Sequence, residues 1–150
     1  MKRFAICLFA IAVAALGQPV APQPDQNLNS TLWMQTSAEY AALTTQAYRA
    51  AGLALTAALA DPNWTAAYEQ TNDFRGLPPA VILDLDETVL DNTAQQVNLI
   101  RSGKAFTEDA FTAWVKEARA LAIPGAVQFL HAAQLKGVAP HYISNRICKP

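Results

Sequence analysis

Apolar positions recur at helical spacing over the first long segment after the N-terminal region, residues 30–60. Asn29 or Ser30 can cap this segment, and Asp61 followed by proline ends it, so one long helix is predicted. Its alanine content favours a helix, and its aromatic side chains are expected to serve the core. The expected packed face consists of Leu32, Tyr40, Leu43, Ala47, Ala51, Leu55 and Leu59.

Two short apolar runs further along the chain are typical of buried strands. A polar, turn-rich segment, residues 61–79, precedes AVILDL at 80–85, and VAPHYI follows at 138–143. Helices are predicted between the two runs, at 93–103, 107–120 and 124–137. A strand, a helical insert, a further helix and a second strand form a βαβ crossover. The pattern therefore predicts an α/β fold with a parallel sheet.

The first 17 residues have the order of a secretory signal peptide. Lys2 and Arg3 precede an apolar run, residues 4–16, which is too short for a membrane anchor, and small residues allow a cut before Gln18. No cysteine follows the run where a lipid attachment would need one. We therefore predict an exported chain, periplasmic or secreted, with no stable membrane anchor.

After the signal peptide (1–17) we expect a linker at 18–28 and a single domain at 29–150. The full chain carries 11 basic and 12 acidic side chains, a net charge of −1. It has no basic stripe of the kind that binds nucleic acid polymers, so that class of partner is not expected.

Carboxylates gather directly behind the first predicted strand, in the run AVILDLDETVLDN. Asp84 and Asp86 lie two residues apart, so their side chains lean the same way if the strand geometry continues. Ser144, Asn145 and Arg146 follow the second strand, and the carboxyl ends of parallel strands meet at one edge of a sheet. Mg²⁺ is the natural counter-charge for two carboxylates, and a phosphoryl group fits beside it.

The acidic run has two other interpretations. A calcium loop starting at Asp84 would need glycine at its sixth position and glutamate at its twelfth, where the chain has Val89 and Gln95. A solvated acidic turn would explain an isolated D-x-D. The apolar strand before it and the SNR cluster after the second strand favour a binding site.

The run AVILDLDETVLDN, followed by IPGAVQFLHAAQLKGVAPHYISNR, resembles the haloacid dehalogenase (HAD) superfamily. It is most similar to bacterial acid phosphatases related to the outer-membrane lipoprotein acid phosphatase and 5′-nucleotidase, a class B-like group of subfamily III. The similarity extends upstream into EYAALTTQAYRAA and covers most of the chain after the leader. The resemblance implies a Rossmann-like fold with a parallel sheet, an N-terminal helical segment and a small helical cap insert at about residues 93–122.

The resemblance also implies a role for each acid. Asp84 matches the nucleophile that forms an aspartyl-phosphate, and Asp86 matches the general acid/base. The Asp84 carboxylate and the Asp86 backbone carbonyl would hold Mg²⁺, and the substrate would be a small phosphomonoester such as a nucleotide. Within the superfamily the second aspartate favours phosphatases and phosphomutases over transport ATPases and dehalogenases, and the export signal favours a phosphatase. The expected phosphate-binding set is Thr88, which steadies the loop, with Ser144, Asn145 and Arg146; a solvated surface charge is the alternative for the arginine.

Three aromatic residues lie in the expected cap: Phe106, Phe111 and Trp114. They could stack on an aromatic leaving group, but the spacing of the last two equally suits helix packing, which we take as the expectation.

The sequence departs from the family pattern at two places. The family site also needs a lysine and further acidic ligands on a later strand end, and Lys149 is the only such residue after Ser144. We therefore expect a C-terminally truncated chain, with later strands missing and little activity. Pro140 lies inside the second strand, which is expected to pair only over its last three residues. A non-catalytic exported binding or interaction module that retains a partial HAD fold remains the alternative.

Overall fold

The structure is a computed structural model that describes residues 25–146. The predicted signal peptide, most of the linker, and Cys148 and Lys149 lie outside the described residues. The elements in chain order are α1 (Leu28–Thr36), α2 (Ala38–Ala60), β1 (Ala80–Leu83), β2 (Leu90–Asp91), α3 (Thr93–Ser102), α4 (Glu108–Glu117), β3 (Leu121–Ala122), α5 (Ala126–Leu135) and β4 (Ala139–Tyr142). Among the described residues, no helix combines the length and the apolar character that a membrane span requires.

The sheet confirms the predicted α/β architecture. Strands β1 and β4 pair in parallel, in a register that runs from Ala80 opposite Ala139 to Leu83 opposite Tyr142. Strands β2 and β3 form a second, antiparallel pair of two residues each, which the sequence did not predict. Such short strands carry too few residues for a period to be recognised.

The expectation that Pro140 shortens the pairing of β4 was wrong, because all four residues of the strand are in register with β1. The Ala139 N–H donates to the Pro79 carbonyl (3.0 Å), and the Ile143 N–H donates to the Leu83 carbonyl (2.9 Å). Donors alternate sides along a strand, so the nitrogen of Pro140 lies on the side of β4 away from β1. The missing donor therefore removes no hydrogen bond from this ladder.

The predicted long helix is two helices, divided at Ser37. This residue has an extended backbone (φ −83°, ψ 127°), and its hydroxyl oxygen accepts a hydrogen bond from the Tyr40 N–H at 3.2 Å, as a helix N-cap does. The predicted packed face was wrong for four of its members, which are all exposed: Leu32, Leu43, Ala47 and Leu59. The residues of α2 that face the interior are Tyr40, Tyr48, Ala51, Leu55 and Ala58.

The core lies on one side of the parallel sheet. Leu83, Val89 and Phe129 are buried there, and helices α2 and α5 cover them. On the opposite side Ile82 is 64% exposed and Ile143 is 67% exposed. The covered side thus anchors the end of β1, from which the acidic turn starts.

Candidate active site

The acidic run is a tight turn and does not extend the strand. Strand β1 ends at Leu83, and the Leu85 carbonyl accepts hydrogen bonds from the N–H groups of Val89 (2.9 Å) and Leu90 (2.8 Å). Glu87 adopts a left-handed backbone (φ 54°), which non-glycine residues adopt infrequently. The condition that strand geometry continues through Asp84 is therefore not met.

The two strand-end clusters meet at Asp86, as the topology predicts. Two nitrogens of the Arg146 guanidinium donate hydrogen bonds to this carboxylate: Nη2 lies 2.6 Å from Oδ1, and Nε lies 3.2 Å from Oδ2. The Asn92 side-chain amide donates to the same carboxylate at 2.7 Å. Both charged side chains are largely buried, with 14% of Arg146 and 22% of Asp86 exposed. A forked contact of this kind fixes orientation as well as charge.

Opposing effects act on the pKa of Asp86. Burial is the largest single one and acts to raise it, but the hydrogen bonds from Arg146 and Asn92, with the positive charge of the arginine, act against burial. The net result holds the pKa of the Asp86 carboxyl below its usual range. Glu87 behaves in the opposite way: partial burial of its carboxyl group raises its pKa, and hydrogen bonds from Asn92 offset this only in part.

The other predicted site residues differ in how they relate to this contact. The Ser144 hydroxyl oxygen accepts a hydrogen bond from the Arg146 N–H at 3.1 Å, which orders the chain after β4. Asn145 lines the same cavity as Asp86 and Arg146. Asp84 is exposed, and its Oδ1 accepts a hydrogen bond from the Leu85 N–H at 2.7 Å.

Thr88 contributes through its backbone. Its carbonyl accepts a hydrogen bond from the Tyr48 hydroxyl, which ties the acidic turn to helix α2. Within residues 25–146, the cavity wall includes Asp86, Asn145 and Arg146 but not Asp84, Thr88 or Ser144. The catalytic and phosphate-binding roles of all six residues stay predictions.

A cavity of about 710 Å³ opens beside Asp86. Helix α1 contributes Thr31 and Met34 to one part of its wall, and the α3–α4 insert forms a second wall. Phe106 and Phe111 lie in this second wall with their ring centroids 5.7 Å apart, and the guanidinium of Arg146 lies 5.8 Å from the Phe111 ring. The cavity thus places two aromatic rings near the charged contact.

Trp114 has a different role from the other two cap aromatics. It is only 5% exposed, and its indole Nε1 donates a hydrogen bond to the Asn92 Oδ1 at 2.8 Å. The expectation that this residue packs is confirmed.

Sequence reasoning gave no role to three residues of the site. Asn92 contacts Asp86 directly, and its position as the last residue of the DLDETVLDN run was the available signal. Lys116 and Gln95 line the cavity. Gln95 is 7% exposed, and its Nε2 has no hydrogen-bond partner in the described part of the chain. Both belong to ordinary helical segments, so the sequence held no separate signal for them.

The donors present fit part of a Mg²⁺ site. The Asp84 carboxylate is exposed, and the Asp86 backbone oxygen receives no hydrogen bond from residues 25–146. Both are hard oxygen ligands, and Mg²⁺ commonly takes one or two protein carboxylates and completes its shell with water and substrate phosphate. Within residues 25–146, no group of three or more acidic, histidine or cysteine side chains could hold a metal ion. The described residues therefore supply only part of a coordination shell.

The fold and site together define an α/β domain with an acidic turn at the carboxyl end of a parallel strand and a helical insert above it. The family model for "HAD superfamily, subfamily IIIB (Acid phosphatase)" matches residues 13–149. The chain belongs to this family of HAD superfamily acid phosphatases.

Two solved structures of the class C acid phosphatase from Bacillus anthracis are similar to the chain. The first is 40% identical, with a TM-score of 0.69, and the match covers 82% of this chain and 47% of that one. The second has tungstate bound, with 40% identity, a TM-score of 0.68 and coverage of 82% and 46%. The chain thus spans about half of the length of these relatives. The similarity confirms the HAD-like α/β fold that the sequence predicted.

Proposed function

We propose that the chain carries the nucleophile-bearing part of an exported, Mg²⁺-dependent acid phosphatase. Its substrates would be small phosphomonoesters such as nucleotides. The observation that carries the proposal is the Asp86–Arg146 contact, because it joins the two strand-end clusters that a phosphoryl-transfer site needs. Membership of the acid phosphatase family supports the reaction class. The leader-like residues 1–17 support export.

In the proposed reaction the exposed Asp84 carboxylate attacks phosphorus in line. The bond from phosphorus to the leaving oxygen breaks, and an aspartyl-phosphate forms. Asp86 protonates the leaving oxygen. Water then attacks phosphorus and gives its proton to Asp86, the bond from phosphorus to the Asp84 oxygen breaks, and inorganic phosphate leaves. Mg²⁺, held by the Asp84 carboxylate and the Asp86 backbone oxygen, would neutralise charge on the phosphoryl oxygens.

Arg146 links substrate binding to the protonation of Asp86. While its guanidinium pairs with the carboxylate, Asp86 is held ionised and has no proton to donate. The planar guanidinium of Arg146 could pair in the same forked way with the phosphoryl oxygens of a substrate, which are also anionic. If Arg146 pairs with the phosphoryl group, the Asp86 carboxylate loses its positively charged partner and can take up a proton.

The cavity favours a leaving group with a flat apolar part. Its volume, about 710 Å³, lies within the usual range for small-molecule sites, and the pair Phe106–Phe111 forms part of its wall. A nucleoside or an aryl alcohol has the shape and chemistry to contact this wall.

The test is hydrolysis of p-nitrophenyl phosphate with and without EDTA. We expect low turnover, since the chain spans about half of its relatives, so the assay uses protein in excess over substrate. Asp84→Asn and EDTA should each abolish this turnover, whereas Asp109→Asn, an exposed carboxylate on α4, should not. Equal rates in wild type and Asp84→Asn would remove the proposed nucleophile.

A non-catalytic interaction module is the second candidate, because the exposed face with Ile82 and Ile143 is suited to a protein partner. Calorimetric titration of Mg²⁺ and tungstate, a phosphate analogue, separates the two functions. The phosphatase proposal expects each ligand to strengthen binding of the other and expects Asp84→Asn to weaken both. An interaction module should show no coupled uptake.

A further inference from the structure

Asn92 has no part in the proposed reaction, although it is one of the most connected side chains of the site. It precedes helix α3 and is 6% exposed. Its Nδ2 donates to the Asp86 carboxylate at 2.7 Å, and its backbone N–H donates to the Glu87 carboxylate at 3.1 Å. A buried amide with this many partners has one orientation at low energy.

The chemistry of its two side-chain partners fixes which way the Asn92 amide points. The indole N–H of Trp114 can only donate, so it must meet the Asn92 oxygen, at 2.8 Å. The ionised Asp86 carboxylate can only accept, so it must meet the Asn92 nitrogen. Arg146 Nη2, 3.5 Å from the Asn92 oxygen, agrees with the same orientation.

Trp114 brings the cap into this arrangement. It belongs to α4 in the insert and lies 22 residues from Asn92 along the chain. A chain of hydrogen bonds therefore connects Trp114 on helix α4, through the Asn92 amide, to the Asp86 carboxylate. The same carboxylate accepts hydrogen bonds from Arg146.

We propose that Asn92 is a positioning residue for Asp86, and that Trp114 sets the orientation of its amide. Cap helix α4 thereby places the carboxylate that exchanges a proton with the leaving group. The inference rests on the proposed function, because that function gives Asp86 its acid/base role. Without Asn92 the carboxylate keeps only the arginine as a side-chain partner among the described residues, so that one contact alone would set its position.

The first test uses NMR and needs no turnover. The Trp114 indole N–H should exchange with D₂O more slowly than that of Trp64, which is 51% exposed. Trp114→Phe retains an aromatic ring and removes the donor, which frees the Asn92 amide to turn. The side-chain amide signals of Asn92 and the Nε–H signal of Arg146 should then shift, whereas Trp64→Phe should leave them in place. Unchanged signals in Trp114→Phe would overturn the inference.

The second test separates positioning from general support of the fold. Asn92→Asp keeps the shape of the side chain and the oxygen that accepts from Trp114. It replaces the amide nitrogen that donates to Asp86 by a carboxylate oxygen, which cannot donate. Phenol leaves less readily than p-nitrophenol and depends more on proton donation, and general acid–base catalysis contributes about 10²–10⁴-fold. Asn92→Asp should therefore reduce single-turnover hydrolysis of phenyl phosphate at least about tenfold more than that of p-nitrophenyl phosphate. Asn98→Asp, at an exposed position of the adjoining helix α3, makes the same charge change as a control.

The outcomes distinguish the two proposals. Equal losses for both esters in Asn92→Asp mean that Asn92 only supports the fold, and the inference fails. If the wild-type chain releases neither alcohol and shows no coupled Mg²⁺ and tungstate uptake, the proposed function fails, and the inference fails with it whatever the spectra show. If Asp84→Asn abolishes turnover while Asn92→Asp matches wild type, the function stands and the inference fails alone.

Discussion

Gly125 is where helix α5 begins against helix α2, and replacing it by alanine should strongly destabilise the domain. Its φ is 96°, and an added Cβ would lie 3.0 Å from the Tyr48 Cβ and 3.1 Å from the Thr45 Cα. An L-residue in a left-handed backbone costs about 1–2 kcal/mol. Forcing an atom against a close-packed neighbour costs about 1–3 kcal/mol more. Gly125→Ala should therefore lower the free energy of unfolding by about 2–5 kcal/mol.

The matched control is Gly52→Ala in α2, where no atom of residues 25–146 outside the local helix backbone lies within 4 Å of the added Cβ. Alanine is favoured over glycine inside a helix by about 0.5–1 kcal/mol, so this variant should be more stable than wild type. Urea unfolding followed by far-UV circular dichroism measures both. With a slope of roughly 1–3 kcal/mol per molar urea, a 2 kcal/mol loss moves the midpoint by about 1 M. If Gly125→Ala unfolds at the wild-type midpoint, or shifts in the direction of Gly52→Ala, the packing of α5 on α2 is not as described.

Two further predictions concern the acidic turn. Tyr48→Phe removes the hydroxyl that donates to the Thr88 carbonyl, and it should lower the free energy of unfolding by about 0.5–1.5 kcal/mol. Tyr68→Phe, at a position that is 97% exposed, should leave it unchanged. Equal melting temperatures in the two variants would show that the Tyr48 hydrogen bond does not stabilise the turn. The folded pKa of Asp86 is depressed, so its contribution to stability is present above the unfolded aspartate pKa, about 3.9, and is lost as the pH falls through the folded value. Urea unfolding between about pH 5 and pH 2 should show this loss in wild type and a weaker one in Arg146→Gln, and parallel curves would contradict the assignment.

The sequence determined the order of the longer elements and the position of the acidic run, but not the break between α1 and α2 or the short strands β2 and β3. Helical spacing, Gly103 after α3 and the Thr107 cap of α4 are local features, and the structure reproduces them. The meeting of the turn after β1 with the SNR segment after β4 also followed, because parallel strands place their carboxyl ends at one edge. Local pattern and topology suffice for such features.

Only the tertiary structure decided how the site is built. The reversal of the chain after Asp84 depends on the Leu85 carbonyl and on the left-handed backbone of Glu87, which no period of apolar residues encodes. The hydrogen bond from Trp114 to Asn92 joins residues 22 positions apart, and it forms because helix α4 packs back onto the turn. Contacts between residues so far apart in the chain depend on how helices and strands pack against one another. The pattern of apolar residues along the sequence predicts these elements but not how they are placed relative to each other.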